Sequence, residues 1–113
     1  MSDDPSEPIV VLITAANREE AGRIAEVLVS APLAACVQIL PEVQSIYRWQ
    51  GKVARETEVL LLAKTTRGRF AELDRAVKEI HSYEIPEIVA LPVTAISEPY
   101  LKWLQGEIVL DQS

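Results

Sequence analysis

One histidine and one cysteine, His81 and Cys36, are the side chains of this sequence best suited to bind a transition metal. Neither belongs to a CxxC, HxxxH or HExxH pattern, and a structural zinc site needs about four ligands. We therefore predict that His81 contributes to a weak metal site that is open or shared between chains, with copper or zinc as the favoured ions. The alternative is a histidine that caps the C-terminal end of a helix. Cys36 stands among apolar residues, which predicts a structural thiol.

Two charged segments have the composition to bind ions of opposite sign. Segment 64–69 reads Lys-Thr-Thr-Arg-Gly-Arg and lies where a predicted strand meets a helix, a place where free backbone amides can hold an anion. Arg67 and Arg69 are the candidate anion ligands, and the alternative is a solvated basic turn. Segment 83–87 has two carboxylates three residues apart beside a tyrosine. It suits a hard cation or acid–base chemistry, or else a solvated loop.

No catalytic pattern accompanies these residues. The sequence has neither a GxxxxGK[ST] phosphate loop nor a GxSxG nucleophile motif. Catalytic sites usually combine titratable groups in complementary pairs, and His81 has no identifiable partner along the sequence. We therefore predict a protein that binds rather than catalyses and that requires no cofactor.

The composition is that of a small soluble domain. The chain has 113 residues, of which 49% are hydrophobic and 25% are charged, and its formal net charge is −6. A single cysteine excludes an intrachain disulfide. The sequence has no basic stripe for nucleic acid and no run of 18 apolar residues for a membrane span. The acidic, proline-containing start differs from a signal peptide, which favours a cytoplasmic location.

Hydrophobic periodicity predicts the element order β-α-β-β-α-β followed by a helix. Short apolar runs indicate strands, and apolar residues at helical spacing indicate helices. A proline at 41 inside the longest run predicts a bend or bulge, because proline cannot donate to a strand ladder. Asn17 is the predicted N-cap of the first helix, with Glu20 three residues later in capping-box spacing. The predicted elements are a strand at 9–13, a helix between Asn17 and Pro32, hairpin strands at 35–50 and 53–64 joined by a turn at 50–52, a helix from a Thr66 cap to Ile80, a strand at 87–93, and a helix at 97–108.

The first and third strands are continuously apolar, which predicts that they lie at the centre of the sheet. With this element order we expect a ferredoxin-like α+β sandwich, an antiparallel sheet with both crossover helices on one face. We predict a disordered segment at 1–8, a single domain at 9–110 and a tail at 111–113. Two helices cover only one face of such a sheet, so we expect a homo-oligomer to cover the other. The alternative is that the terminal helix folds back over it.

Several motifs, in the same order along the chain, resemble the CutA divalent-cation tolerance proteins. The resemblance implies a ferredoxin-like subunit with a long hairpin between the second and third strands, in a tight homotrimer similar to the nitrogen-regulatory PII proteins. It also implies a role in tolerance to copper and other divalent metals, through metal binding rather than a known reaction. The segments that carry the resemblance are 11–15, 33–37, 45–52, 58–65, 81–88, 91–93 and 100–104.

The resemblance also points to particular residues. Some family members have a cysteine in the first strand and two adjacent histidines, which are proposed to hold copper. This sequence has Ile13 and Ile80 at two of those three positions, so weak rather than tight copper binding is expected. By position, the residues that match the intersubunit cleft of the family are Trp49, Lys64, His81, Tyr83 and Glu87.

The sequence is therefore compatible with three functions. The first is a non-catalytic trimer that binds copper or other divalent cations weakly and takes part in the response to metal ions. The second is a PII-like signalling module that binds a small anionic metabolite in the intersubunit cleft, with Lys64, Arg67 and Arg69 as its cations. The third is a scaffold whose function is the assembly itself.

Overall fold

The computed structural model describes residues 4–108, which form an antiparallel sheet of four strands and three α-helices. None of the described helices is long and apolar enough to cross a membrane. The elements are β1 (Pro8–Ala15), α1 (Arg18–Ser30), β2 (Cys36–Trp49), β3 (Lys52–Thr66), a single 3₁₀ turn (Arg67–Arg69), α2 (Phe70–Ile80), β4 (Ile88–Pro92) and α3 (Glu98–Ile108).

The sheet has the order β2-β3-β1-β4, with β3 and β1 at its centre. This confirms the predicted ferredoxin-like α+β sandwich and the central position of the two continuously apolar strands. The core lies between one face of the sheet and helices α1 and α2. Its fully buried side chains include Val11, Ile13, Leu61, Ile24, Leu28, Leu73 and Val77.

Helix α1 begins as its sequence predicts. Asn17 is the N-cap, and its side-chain oxygen accepts a hydrogen bond of 2.9 Å from the backbone N–H of Glu20. The Glu20 carboxylate reaches back and accepts a hydrogen bond of 2.9 Å from the N–H of Ala16, in the manner of a capping box. This reciprocal cap fixes the point at which the chain leaves β1.

Strands β2 and β3 form the long hairpin, 14 and 15 residues in length. A register shift between Leu40 and Val43 is the irregularity predicted near Pro41. At the hairpin tip, Gln50 and Gly51 have φ angles of 50° and 79°, the left-handed pair that a tight two-residue turn requires.

The prediction that Thr66 caps α2 was wrong. The Thr66 side chain makes no capping hydrogen bond, and the 3₁₀ turn precedes the helix. The prediction of disorder at 1–8 was also wrong over residues 4–8. Pro8 begins β1, and the Pro5 carbonyl accepts a hydrogen bond of 2.9 Å from the N–H of Gly68. A Cβ atom at Gly68 would lie 2.9 Å from that of Pro5, so this contact requires glycine.

The other predictions for the two ends of the chain concern residues that the structure does not describe. Residues 1–3 and 109–113, which include the predicted tail at 111–113, lie outside the described residues.

Helix α3 lies against the second face of the sheet. Lys64, which alternates along β3 with the core residues Ala63 and Thr65, places its ammonium 5.5 Å from the ring centre of Tyr100 in α3. Leu104 of α3 is buried, so the terminal helix covers part of this face, as the alternative interpretation expected.

The rest of the second face stays exposed in the single chain. Val89 and Leu91 of β4 pair with Leu12 and Val10 of β1, and their exposed fractions are 46% and 45%. Leu40 of β2 is also exposed. We call this surface the open face of the sheet. Its apolar side chains belong to three strands, which is more than a scatter of single surface residues.

Candidate cation-binding cleft

A cleft of about 720 Å³ lies between the outer half of the β2–β3 hairpin and the segment that connects α2 to β4. We call it the hairpin cleft. Side chains two residues apart on a strand share a face of the sheet, so Glu56 and Glu58 of β3 lie on the same face. Their partners on β2 are Ser45 and Val43. Both glutamates line the cleft. The charged and aromatic residues that line it are Glu56, Glu58, Glu84, Glu87, Tyr47, Trp49 and Tyr83.

The hairpin cleft is acidic. Among its lining residues in the described part of the chain there are four glutamates and no lysine or arginine. The pKa of Glu87 is raised, first by burial and then by the charge of Glu58. Such an environment attracts a cation, because a cation relieves the repulsion between neighbouring carboxylates.

Glu58 is the buried carboxylate of this group, with an exposed fraction of 7%. The Tyr83 hydroxyl donates a hydrogen bond of 2.6 Å to Glu58 Oε2, a short bond of the charge-assisted kind. Burial, together with the hydrogen bond to Glu58 and its negative charge, raises the pKa of Tyr83. The phenol therefore stays neutral and remains a donor at physiological pH.

His81 lies behind Tyr83 and does not line the cleft. Its side chain is fully buried, its Nε2 is 2.7 Å from the Thr14 carbonyl oxygen, and its Nδ1 accepts a hydrogen bond of 3.0 Å from the N–H of Tyr83. A neutral imidazole satisfies both contacts when Nε2 carries the proton. Both ring nitrogens are thus engaged, and this geometry argues against the predicted role of His81 as a metal ligand.

The Glu20 side chain connects the start of α1 to the segment between α2 and β4. Its Oε2 accepts a hydrogen bond of 2.7 Å from the N–H of Ser82 and lies 3.9 Å from His81 Nδ1. Burial alone would raise the pKa of Glu20, but the hydrogen bonds from Ala16 and Ser82 outweigh it and lower the pKa. The sequence identified Glu20 only as a capping residue.

The structure brings together three of the five residues that the resemblance assigned to a cleft. Trp49, Tyr83 and Glu87 line the hairpin cleft, His81 supports Tyr83 from behind, and Lys64 lies outside the cleft beside Tyr100.

The sequence analysis did not single out Glu56 and Glu58. Their spacing of two residues on one strand was the available signal, because it places both carboxylates on one face.

The predicted anion turn is occupied by contacts within the chain. Arg67 pairs with Glu7 at 3.3 Å. Arg69 pairs with Glu72 at 3.1 Å and donates to the Ile108 carbonyl oxygen at 3.1 Å. These contacts tie the start of the described chain and the end of α3 to the 3₁₀ turn, so the geometry favours a structural role for both arginines.

The other positions named in the metal predictions lie apart from one another. Cys36 is a free, partly buried cysteine that lies opposite Lys64 in the register of β2 and β3. Ile13 lies in the core, and Ile80 ends α2. Across residues 4–108, no group of three or more histidine, cysteine, aspartate and glutamate side chains is arranged to hold a metal ion.

The sheet order and the long hairpin define a ferredoxin-like α+β subunit. The chain belongs to the CutA family: the family profile described as CutA1 divalent ion tolerance protein matches residues 9–107.

Curated relatives agree with this assignment. The divalent-cation tolerance protein CutA of Thermus thermophilus is 52% identical over 96 residues, which cover 85% of this chain and 93% of the relative. The chloroplastic protein CutA of Arabidopsis thaliana is 43% identical over 98 residues, which cover 87% of this chain and 54% of the relative.

Solved structures share the fold. The Thermus thermophilus divalent cation tolerance protein superposes with a TM-score of 0.87 at 50% identity, covering 88% of this chain and 97% of that one. The protein from Archaeoglobus fulgidus, which is described as a periplasmic divalent cation tolerance protein, gives a TM-score of 0.88 at 37% identity, covering 90% and 99%.

Proposed function

We propose that this protein contributes to divalent-cation tolerance by binding divalent cations weakly in the hairpin cleft, without catalysing a reaction. The observation that carries the proposal is the set of four glutamates that line the cleft, with no lysine or arginine among its lining residues in the described chain. Carboxylate oxygens suit hard cations such as Mg²⁺ and Mn²⁺, whereas Cu²⁺ prefers imidazole and thiolate. His81 is already hydrogen-bonded at both nitrogens and Cys36 does not line the cleft. The proposal therefore favours hard divalent cations over copper.

A titration with MnCl₂ by isothermal calorimetry tests this proposal. We expect a Kd of about 10⁻⁴–10⁻³ M for the wild-type protein, the range of weak carboxylate sites. The variants Glu56→Gln and Glu84→Gln each remove one carboxylate charge from the cleft and are expected to weaken binding by about fivefold or more. Glu26→Gln, on the exposed surface of α1, is the matched control and should bind as the wild type does. Equal losses in all three variants would assign the effect to net charge rather than to the cleft.

The two alternative functions have less support. A small anionic metabolite would meet four carboxylates in the hairpin cleft, and the two arginines predicted to bind it are already paired with Glu7 and Glu72. Lys64, the remaining predicted cation of that site, lies beside the Tyr100 ring and forms no salt bridge within the described residues. A scaffold function would need a stoichiometric partner, which affinity purification would identify.

We further propose that the protein acts as a homotrimer in the cytoplasm. The exposed apolar side chains of the open face support self-association, because such a surface is unfavourable in contact with water. Cell fractionation with an antibody to the protein would test the location.

A further inference from the structure

One wall of the hairpin cleft is held in place by side chains rather than by secondary structure. Residues 82–87, which connect α2 to β4, belong to neither a helix nor a strand. The N–H of Ser82 donates to Glu20 Oε2 at 2.7 Å and the N–H of Tyr83 to His81 Nδ1 at 3.0 Å. The Tyr83 hydroxyl donates to Glu58 Oε2 at 2.6 Å. Each of these acceptors is a titratable group, so the position of this wall depends on protonation.

The His81 ring can hold Tyr83 only while it is neutral. Its side chain is fully buried, and Nε2 lies 2.7 Å from the Thr14 carbonyl oxygen. A carbonyl oxygen can only accept, so Nε2 carries the proton and Nδ1 keeps the lone pair that accepts from the Tyr83 N–H. In an imidazolium both nitrogens are donors. A proton on Nδ1 and the hydrogen bond from Tyr83 therefore exclude each other.

A carboxylate stands ready for the protonated ring. From α1, Glu20 Oε2 lies 3.9 Å from Nδ1. Burial would raise the pKa of Glu20, but its hydrogen bonds outweigh burial and lower it, so this group stays negative in mild acid. β1 contributes the uncharged Thr14 carbonyl, and Glu58 of β3 is connected to the ring only through Tyr83. The negative charge favours a proton on the ring and burial opposes it, which makes both forms accessible.

We propose that His81 is a pH-sensitive latch on this wall of the hairpin cleft. In neutral solution the uncharged ring fastens the Tyr83 N–H. When the ring gains a proton, the Nδ1–H donates to Glu20, and the Tyr83 N–H loses its acceptor. Residues 82–87, which carry the lining residues Glu84 and Glu87, then become more mobile. The latch goes beyond the proposed function, because it needs no ligand in the cleft.

The wild-type protein tests the latch directly. His81 is the only histidine of the chain, so ¹⁵N labelling of histidine gives a single ring to follow by NMR. We expect a proton on Nε2 alone at about pH 8 and on both nitrogens at about pH 5. Over this range the protection of the Tyr83 amide against hydrogen exchange, corrected for the intrinsic rate, should fall about tenfold. The Ala31 amide donates to the Val27 carbonyl oxygen, an acceptor that does not titrate, and should keep its protection.

Replacing His81 with asparagine removes the titration and keeps an acceptor. An asparagine side-chain oxygen commonly accepts a hydrogen bond from the N–H two residues later, which is the separation between His81 and Tyr83. In His81→Asn the Tyr83 amide should therefore be protected equally at about pH 8 and about pH 5. His81→Ala has no acceptor at this position and should show the low protection at both pH values.

Three results would each overturn the latch. The first is a proton on Nδ1 at about pH 8, and the second is unchanged protection of the wild-type Tyr83 amide at about pH 5. The third is the same pH dependence in His81→Asn as in the wild type, which would assign the change to a carboxylate. If His81→Asn does not fold, the wild-type titration alone decides. These measurements add no divalent cation, so the latch can fail while the proposed function stands, and the reverse.

Discussion

Replacing Glu20 with alanine is expected to lower the free energy of unfolding by about 3 kcal/mol, a large fraction of the stability of a small domain. The buried Glu20 carboxylate accepts hydrogen bonds from the N–H groups of Ala16 at 2.9 Å and Ser82 at 2.7 Å. Alanine leaves both donors without this acceptor and removes the charge beside His81. Chemical denaturation at a fixed protein concentration measures the loss.

The adjacent Glu19 provides the matched control. Its side chain is 86% exposed and pairs with Arg23 on the surface of α1. Surface pairs of this kind contribute less than about 1 kcal/mol, so Glu19→Ala should change stability little. If Glu19→Ala and Glu20→Ala unfold at the same denaturant concentration, the hydrogen bonds of the buried Glu20 carboxylate do not stabilise the fold.

The pH dependence of the Glu20 contribution has a definite sign. Because the pKa of Glu20 is lowered in the folded protein, its stabilising effect is fully present above the ordinary value of 4.5 and is lost as the pH falls through the lowered folded value. The stability gap between the wild type and Glu20→Gln should therefore close in acid. Denaturation curves between about pH 7 and pH 3 check this.

Glu87 provides the opposite case. Its pKa is raised by burial and by the charge of Glu58, so its favourable contribution is present below the ordinary value and is lost as the pH rises through the raised one. The variant Glu87→Gln should be at least as stable as the wild type at neutral pH. A loss of stability there would contradict the assigned direction.

Local chemistry explains which parts of this fold the sequence predicts. The Asn17 cap, the turn at Gln50 and Gly51, and the irregularity near Pro41 each depend on residues within a few positions of one another. The central strands follow from continuous apolar runs, because a strand covered on both faces has no polar side to display.

Contacts between distant residues explain what the sequence does not predict. Glu20 reads as half of a capping box, yet its second partner, Ser82, lies 62 residues away. Arg67 reads as a free cation because its partner, Glu7, lies in a segment whose composition indicates disorder. His81 is fully buried, and both of its ring nitrogens are engaged. Its role depends on the Thr14 carbonyl, a backbone group that no side-chain pattern reveals.

Replacing Leu91 with lysine is expected to convert the proposed trimer into single chains. Leu91 lies on the open face opposite Val10 of β1. An interface there would enclose the lysine charge without a partner, and such a charge costs several kcal/mol for each copy. Sedimentation equilibrium at low micromolar concentration should give the mass of about three chains for the wild type and of one chain for the variant. The circular dichroism spectrum should keep its helix and strand content.

Val29 offers a control with the same chemistry and the same exposure. It lies on α1, in the layer on the other side of the sheet, and both Val29 and Leu91 have an exposed fraction of 45%. Val29→Lys therefore introduces an equal charge at an equally accessible apolar position, and we expect it to sediment as the wild type does. If only Leu91→Lys sediments as a single chain, the effect comes from the position of Leu91 on the open face and not from the loss of an exposed apolar side chain. If the wild type sediments as a single chain, the open face is not an interface between copies of this protein.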